Sequence, residues 1–141
     1  MDRVYRLYKI MHKSRNSIYK KILHYYLRSV YACDIMPESE IGVGAHFAHR
    51  GLGVVINQGC IIGNNVKIGA HVVVGGRNGN PVVPKIGNNV EIGTGAILLG
   101  DIVVGDNVVI GAGTVLLTSI PDNAVVVGNP GRVIKYIGEK L

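Results

Sequence analysis

Five histidines are the side chains of this sequence best suited to move a proton near neutral pH. They are His12, His24, His46, His49 and His71. From Ile41 onward the sequence repeats every six residues, and only His49 lies where this period is interrupted, between Phe47 and Gly53. Repeat proteins place functional groups at such breaks. His49 is therefore the candidate general base, the group that accepts a proton from a reacting molecule.

The two cysteines, Cys33 and Cys60, form no recognisable redox or metal motif. They lie 27 residues apart, with no CxxC pair and no histidine at ligand spacing. This pattern argues against a disulfide framework and against a structural zinc site. We expect both thiols to be reduced and packed in the interior.

The positive charge of the chain is confined to its N-terminal segment. Residues 1–33 hold eight Lys/Arg against one acid, Asp2, whereas residues 34–141 hold seven Lys/Arg against eight acids. No nucleic-acid recognition motif accompanies the basic residues, so we do not expect a nucleic-acid partner. No apolar run approaches the ~20 residues of a transmembrane helix, and no signal peptide is visible. We expect a cytoplasmic location.

Residues 1–33 are called the basic arm. Apolar residues recur there at near-helical spacing, and Ser14-Arg15-Asn16-Ser17 supplies capping residues for a second helix. The pattern predicts two helices, roughly 2–13 and 16–31. A basic, tyrosine-rich helix can cover the end of the main domain, dock on a partner or lie on an anionic membrane. We expect capping first, with membrane contact as a second role, and apolar cover from Val4, Leu7, Met11, Ile18, Ile22 and Leu23.

From Ile41 onward, the sequence repeats every six residues. Counting in sixes from Ile56 to Leu116 meets an aliphatic residue at every position except Asn80, and glycine usually follows. Twenty glycines, no tryptophan and one phenylalanine favour short strands over an aromatic-centred core. Three short strands joined by sharp corners close one coil, and stacked coils bury each other. The predicted fold class is an all-β solenoid, a parallel β-helix.

The repeats resemble those of the hexapeptide-repeat acyltransferases. The strings that carry the resemblance are IGNNVKIGAHVVVGG, IGNNVEIGTGAILLG, VGDNVVIGAGTVL and IPDNAVVVGNPGRVI. The resemblance covers residues 34–136 and implies a left-handed β-helix that forms homotrimers. The domain organisation expected is the helical basic arm, 1–33, followed by the β-helix, 34–141, with a protruding loop near 75–85.

Within that family, the D-I-M-P segment and the histidine after it resemble serine acetyltransferases and their relatives in polysaccharide gene clusters. Those enzymes pair an aspartate with a histidine 15 residues later, which is the separation between Asp34 and His49. The resemblance implies that Asp34 orients His49, the catalytic base. The family's serine-holding aspartate and Arg-His pair are replaced here by Ala48 and Val82-Val83.

The resemblance also implies positions that bind acetyl-CoA, the acetyl donor. Gly75 and Gly76 precede the predicted loop, where a backbone N–H would meet the thioester without a Cβ in the way. Small residues would border the pantetheine groove between subunits, and basic residues would meet the coenzyme phosphates. Thr94 and Ala112 are the small residues expected beside the groove, and Arg132 and Lys135 are the basic residues expected at the phosphates.

The resulting expectation is an acetyl-CoA-dependent O-acetyltransferase acting on a hydroxyl of a small acceptor, a sugar or glycan intermediate, in polysaccharide biosynthesis. Serine O-acetyl transfer and a non-catalytic scaffold are the alternatives. One branch of the fold uses three histidines to bind catalytic zinc, but the spacing of His46, His49 and His71 differs from it. No metal is expected, and His46 and His71 should lie on the outer wall.

Overall fold

The computed structural model describes residues 2–139, which comprise two α-helices followed by a β-solenoid. Helix α1 spans Arg3–Lys13 and helix α2 spans Ser17–Tyr31, close to the predicted bounds. The side chains of Asp2 and Asn16 cap them by accepting hydrogen bonds from the first free backbone N–H groups. Neither helix is long and apolar enough to cross a membrane.

Fifteen short strands within residues 2–139, numbered β1 to β15 in chain order, form three sheets. Sheet A contains β1 (Asp34–Ile35), β4 (Val55–Ile56), β7 (Val73–Gly75), β10 (Ile97–Leu99) and β13 (Val115–Leu116). Sheet B contains β2 (Glu40–Ile41), β5 (Ile61–Ile62), β8 (Lys85–Ile86) and β11 (Val103–Val104). Sheet C contains β3 (His46–Phe47), β6 (Lys67–Ile68), β9 (Glu91–Ile92), β12 (Val109–Ile110), β14 (Ala124–Val127) and β15 (Arg132–Tyr136).

The chain visits sheets A, B and C in turn, and stacked strands pair in parallel except for the antiparallel β14–β15 pair. A regular coil takes three hexads, as between the paired residues Val55 and Val73. The first coil is three residues longer, because a 3-10 turn at Ala48–Gly51 interrupts it. The third is six residues longer, because loop 76–84 adds the length of one hexad. The architecture confirms the predicted left-handed β-helix.

The core is a set of stacked columns, one for each sheet. The aliphatic residue of each hexad points inward, so that sheet A buries Ile35, Ile56, Val74, Leu98 and Leu116. Smaller residues two positions earlier fill the narrower parts of each coil, Cys33 and Cys60 among them. Both thiols are free and buried as expected, and burial raises the pKa of each to about 11.

Asparagines at one corner connect successive coils on the outside. Asn65, Asn89, Asn107 and Asn123 all adopt left-handed backbone conformations, which asparagine tolerates better than branched residues do. The side-chain amides of the first three each donate to the asparagine of the next coil over 3.1–3.4 Å, and Asn123 accepts the last of these bonds. The polar corner residues of the repeats therefore satisfy one another at the solenoid surface.

The basic arm covers the N-terminal end of the solenoid, but with fewer residues than predicted. Val4 and Met11 are buried, and Leu7 and Leu23 are partly buried against the core. The prediction was wrong for Ile18 and Ile22, which are 68% and 60% exposed. Helix α2 packs through the side that carries Leu23 and Leu27, and helical periodicity places residues 18 and 22 on the other side. Buried Tyr5, Tyr8 and Leu27 complete the cover.

Tyr8 joins the arm to the first coil through a buried hydroxyl. Its Oη donates to the Ser39 carbonyl oxygen at 2.6 Å and accepts from the Ile41 N–H at 3.2 Å. Desolvation by burial raises the pKa of this phenol, since the charged form would lose water. The hydroxyl thus supplies hydrogen-bond partners to backbone groups at the open end of the solenoid, where no preceding coil pairs with them.

We expect Tyr8→Phe to lower the free energy of unfolding by about 1–3 kcal/mol, because a buried backbone N–H loses its acceptor. Tyr25→Phe is the matched control, because Tyr25 is 74% exposed and should change stability by less than ~0.5 kcal/mol. Urea denaturation followed by circular dichroism measures both. Equal stabilities for the two variants would contradict the structural role given to the Tyr8 hydroxyl.

Candidate active site

The candidate base lies at the corner between sheets C and A, which we call the C–A edge. Strand β3 ends at Phe47, and the chain enters β4 at Val55 after the 3-10 turn. His49 and Arg50 within that turn both have left-handed backbone conformations, with φ of 50° and 58°. Such conformations cost energy in residues other than glycine, and they cluster at functional sites. The turn holds the exposed His49 side chain beside the arm.

A surface cleft contains His49 between the arm and the solenoid. Arg3 of α1 and Val30 and Tyr31 of α2 line one side, and His49, Arg50 and Leu52 line the other. The cleft therefore exists only because the arm packs against the first coil. It presents two cationic side chains and an imidazole beside apolar surface.

Asp34 lies at the start of β1, and its carboxylate is bound by helix α2. His24 Nε2 donates to Oδ1 at 2.6 Å, and an Arg28 guanidinium nitrogen lies 3.7 Å from Oδ2. His24 and Arg28 are four residues apart and so share one face of α2. Both carboxylate oxygens consequently face cationic or hydrogen-bonding groups of the arm.

Asp34 and His49 do not contact each other through a hydrogen bond within the described chain, residues 2–139. They nevertheless belong to the same part of the fold, because Asp34 pairs with Val55, the residue that begins β4 after the His49 turn. The two residues therefore lie at one edge. The arm contributes a further histidine, His24, whose place beside Asp34 the sequence pattern did not predict. The i, i+4 spacing of His24 and Arg28 was the available signal.

Thr94 and Ala112 lie farther along the same C–A edge. Each is the second residue after a sheet C strand, as His49 is, and the strands β3, β6, β9 and β12 stack in register. Both side chains are exposed. A Cβ at Gly93 would lie 2.5 Å from the Ala112 backbone nitrogen, so only glycine permits the coils to approach this closely. From Thr94 to Ala112 the edge is a narrow surface of small residues, and His71 lies at the same edge in the preceding coil, with its ring against Gly53.

Gly75 and Gly76 lie at the opposite end of the sheet A strands, at the corner with sheet B, which we call the A–B edge. Strand β7 ends at Gly75, and loop 76–84 leads to β8 with residues 77–82 exposed. A Cβ at Gly75 would lie 2.8 Å from the Asn57 side-chain nitrogen. In the described part of the chain, the Gly76 N–H donates to no other group.

Arg132 and Lys135 lie on β15, which pairs antiparallel with β14 beyond the last regular coil. Arg132 is opposite Val127, at the C–A edge, and donates to the Gly131 carbonyl oxygen at 2.9 Å. Lys135 is opposite Val125. Both side chains are exposed, and Arg132 is the one of the two that lies at the C–A edge.

The other two histidines of the repeat region, His46 and His71, lie on the outer surface of the solenoid, as expected. His46 Nδ1 lies 3.3 Å from the Asp2 carboxylate that caps α1, and His71 is exposed. No group of three histidine, cysteine, aspartate or glutamate side chains in residues 2–139 is placed to hold a metal ion.

Comparisons with known proteins agree with this architecture. The model of the family "Bacterial transferase hexapeptide (six repeats)" matches residues 84–118. The chain is 36% identical over 133 residues to a serine acetyltransferase of Staphylococcus xylosus, covering 93% of this chain and 61% of that protein. The chain belongs to the hexapeptide-repeat transferase family.

Two further members of this family bear on the site. The putative colanic acid biosynthesis acetyltransferase WcaB of Escherichia coli K12 is 47% identical over 93 residues, covering 64% of this chain and 57% of that protein. A serine acetyltransferase of Brucella abortus, solved in complex with coenzyme A, superposes with a TM-score of 0.89 at 32% identity, covering 96% of this chain and 56% of that one. This hexapeptide-repeat chain thus spans about three fifths of the length of these relatives.

The contact between His24 and Asp34 should be measurable as a coupling energy. We expect a double-mutant cycle of His24→Ala and Asp34→Asn to give about 1 kcal/mol of coupling in urea denaturation, because a half-buried charged hydrogen bond is lost. The exposed pair Lys67–Glu91, 3.8 Å apart, is the control and should give less than ~0.5 kcal/mol. A His24–Asp34 coupling no larger than the control would mean that this contact does not hold the arm.

Proposed function

We propose that this protein is an acetyl-CoA-dependent O-acetyltransferase with His49 as general base. The observation that carries the proposal is the strained turn at Ala48–Gly51, which holds His49 on the same edge as Thr94 and Ala112. The coenzyme A complex of the Brucella abortus relative supports acetyl-CoA as the donor.

In the proposed reaction, His49 accepts the proton of the acceptor hydroxyl as its oxygen attacks the thioester carbonyl carbon. The N–H of Gly76, which has no partner within residues 2–139, donates to the developing oxyanion. The tetrahedral intermediate then collapses, the carbon–sulfur bond breaks, and the imidazolium returns the proton to the departing thiolate. The acetyl group is transferred directly, with no covalent enzyme intermediate.

We propose that Asp34 acts on His49 by orienting its ring and stabilising the imidazolium. The carboxylate lies at the same edge, one coil below the end of the His49 turn. Because helix α2 holds both of its oxygens, the arm sets the orientation of this carboxylate. Thr94 and Ala112 would border the pantetheine arm, and Arg132 and Lys135 would bind the coenzyme phosphates.

A homotrimer would complete the proposed site. His49, Thr94 and Ala112 lie at the C–A edge, whereas Gly76 and the loop lie at the A–B edge, at the other end of sheet A. One chain does not bring these two edges together. In a closed ring of three solenoids, each C–A edge can face the A–B edge of a neighbour. Sedimentation equilibrium measures this state directly.

We propose that the acceptor is a sugar or glycan intermediate of polysaccharide biosynthesis, as the name of the WcaB relative suggests. The positions that hold serine in serine acetyltransferases are occupied by Ala48, Val82 and Val83, whose apolar side chains cannot pair with an ammonium or a carboxylate group. Serine is the alternative acceptor, favoured by the names of most similar proteins. The proposed location is the cytoplasm, at the inner face of the membrane.

We expect acetyl-CoA to raise the melting temperature, because a ligand specific for the native state stabilises it by mass action. The double variant Arg132→Ala/Lys135→Ala should bind acetyl-CoA at least ten-fold more weakly in calorimetry, since each cation contributes charge-assisted contacts. Lys20→Ala, on the arm, is the control and should retain full affinity. Absence of binding by the unmodified protein would favour a scaffold, and unchanged affinity of the double variant would remove the phosphate role.

His49→Ala should lower kcat by about 10²–10⁴-fold, because general-base assistance is lost, and leave acetyl-CoA affinity unchanged. Asp34→Asn should have a smaller effect of the same kind. His46→Gln, a second exposed histidine of the same coil, is the control. Acetyl transfer is measured with serine and with a panel of nucleotide sugars and glycans. Full activity of His49→Ala would exclude the mechanism, and turnover of serine alone would favour the alternative acceptor.

A further inference from the structure

Helix α2 exposes an extended apolar surface on the side that faces away from the solenoid. Six large side chains there are between 44% and 74% exposed: Ile18, Tyr19, Ile22, Tyr25, Tyr26 and Val30. At the helical rotation of about 100° per residue, they occupy a continuous arc of roughly 140°. We call this arc the outer face of α2.

The fold does not require this outer face to be apolar. The contact of α2 with the rest of the protein uses the opposite side, where Leu27 is buried and Leu23 is partly buried. Isoleucines at 60–68% exposure gain little from folding. A contiguous apolar surface of this kind on a protein indicates a binding surface.

The charge carried by the two helices around the outer face is of one sign, and the nearest exposed acid of the solenoid, Glu38, lines a groove with Lys20, Lys21 and His24. Neither α1 nor α2 contains an acidic residue, and the exposed Lys21 borders the apolar arc directly. Lys13 and Arg15 extend the positive charge beyond the N-terminal end of α2, whereas the charge of Arg28 lies beside the Asp34 carboxylate, 3.7 Å away. The single acid of the arm is Asp2, whose carboxylate accepts hydrogen bonds from the Val4 N–H at the start of α1 and from the Phe47 N–H.

We propose that the outer face of α2 docks on an anionic lipid bilayer. A helix that lies in the interface buries isoleucine side chains at the acyl boundary, keeps tyrosines at the level of the headgroups and places lysines against anionic lipid. The α2 helix of a second copy is a poorer occupant, because two such helices carry the same charge and repel. Nucleic acid would match the charge but not the row of isoleucines.

The docked orientation would also place the candidate active site at the membrane. Val30, at the C-terminal end of the outer face, lines the same cleft as His49. An acceptor carried on a lipid could then reach the cleft without leaving the bilayer surface. This consequence rests on the proposed transferase function, whereas the docking itself does not.

The test is co-sedimentation of the intact protein with two kinds of vesicle: phosphatidylcholine alone, and phosphatidylcholine with one third phosphatidylglycerol. We expect at least ten-fold tighter binding to the anionic vesicles. Ile18→Ser/Ile22→Ser should weaken that binding at least ten-fold, whereas Val103→Ser, which removes a 52% exposed apolar residue of sheet B, should not. Lys21→Gln should weaken it about five-fold, from ~1 kcal/mol per basic residue. Lys85→Gln, on the solenoid, should have no effect.

Binding without preference for anionic vesicles, or binding unaffected by Ile18→Ser/Ile22→Ser, would overturn the proposal. A change of mass in sedimentation equilibrium for that variant, with vesicle binding unchanged, would assign the outer face to a protein interface and overturn it equally. All these variants lie on exposed positions, so circular dichroism should verify an unchanged fold. Because no readout uses acetyl transfer, loss of the proposed activity and loss of membrane docking are separate results.

Discussion

The inward stacking of one aliphatic side chain per hexad is the constraint on which the rest of this protein depends. Most of the strands have only two residues and are unstable alone, so each must bury its inward residue on the coils above and below. That requirement keeps the strands in register through all three sheets. It leaves the edges as the places where residues can be added without disturbing a column. The two insertions into the regular coil are both found there.

Those two additions give the solenoid its chemical features. Three extra residues at the C–A edge form the turn that holds His49, and one hexad length at the A–B edge forms the loop after Gly76. The strands between the edges remain regular, so Thr94 and Ala112 align with His49 by register alone. Because the additions lie at opposite ends of sheet A, the proposed site depends on neighbouring chains as well as on the fold of one.

The basic arm follows from the same constraint, since a stack of coils has an open end. Tyr8 satisfies backbone groups at this end while Val4 and Met11 cover its apolar interior. The arm needs only one side of α2 for this purpose. The opposite side of α2 is the outer face. His24 and Arg28 lie between these two sides and contact Asp34. One helix thereby joins solenoid capping, the candidate acid–base residues and the proposed lipid contact.

The sequence by itself determined the solenoid, because a six-residue period of aliphatic residues requires short strands and corners that stack as coils, and the break in that period at Phe47–Gly53 pointed to His49 as the candidate base. The left-handed sense of the coils came from the resemblance to the hexapeptide-repeat family. It also determined the two helices of the arm, whose caps and periodicity are local signals. The tertiary structure alone decided that Ile18 and Ile22 face solvent, because a helix with apolar residues on two sides does not reveal which side packs. It alone also decided that Asp34 meets His24, since a contact between an arm and a coil depends on how the two pack, and no local pattern encodes that packing.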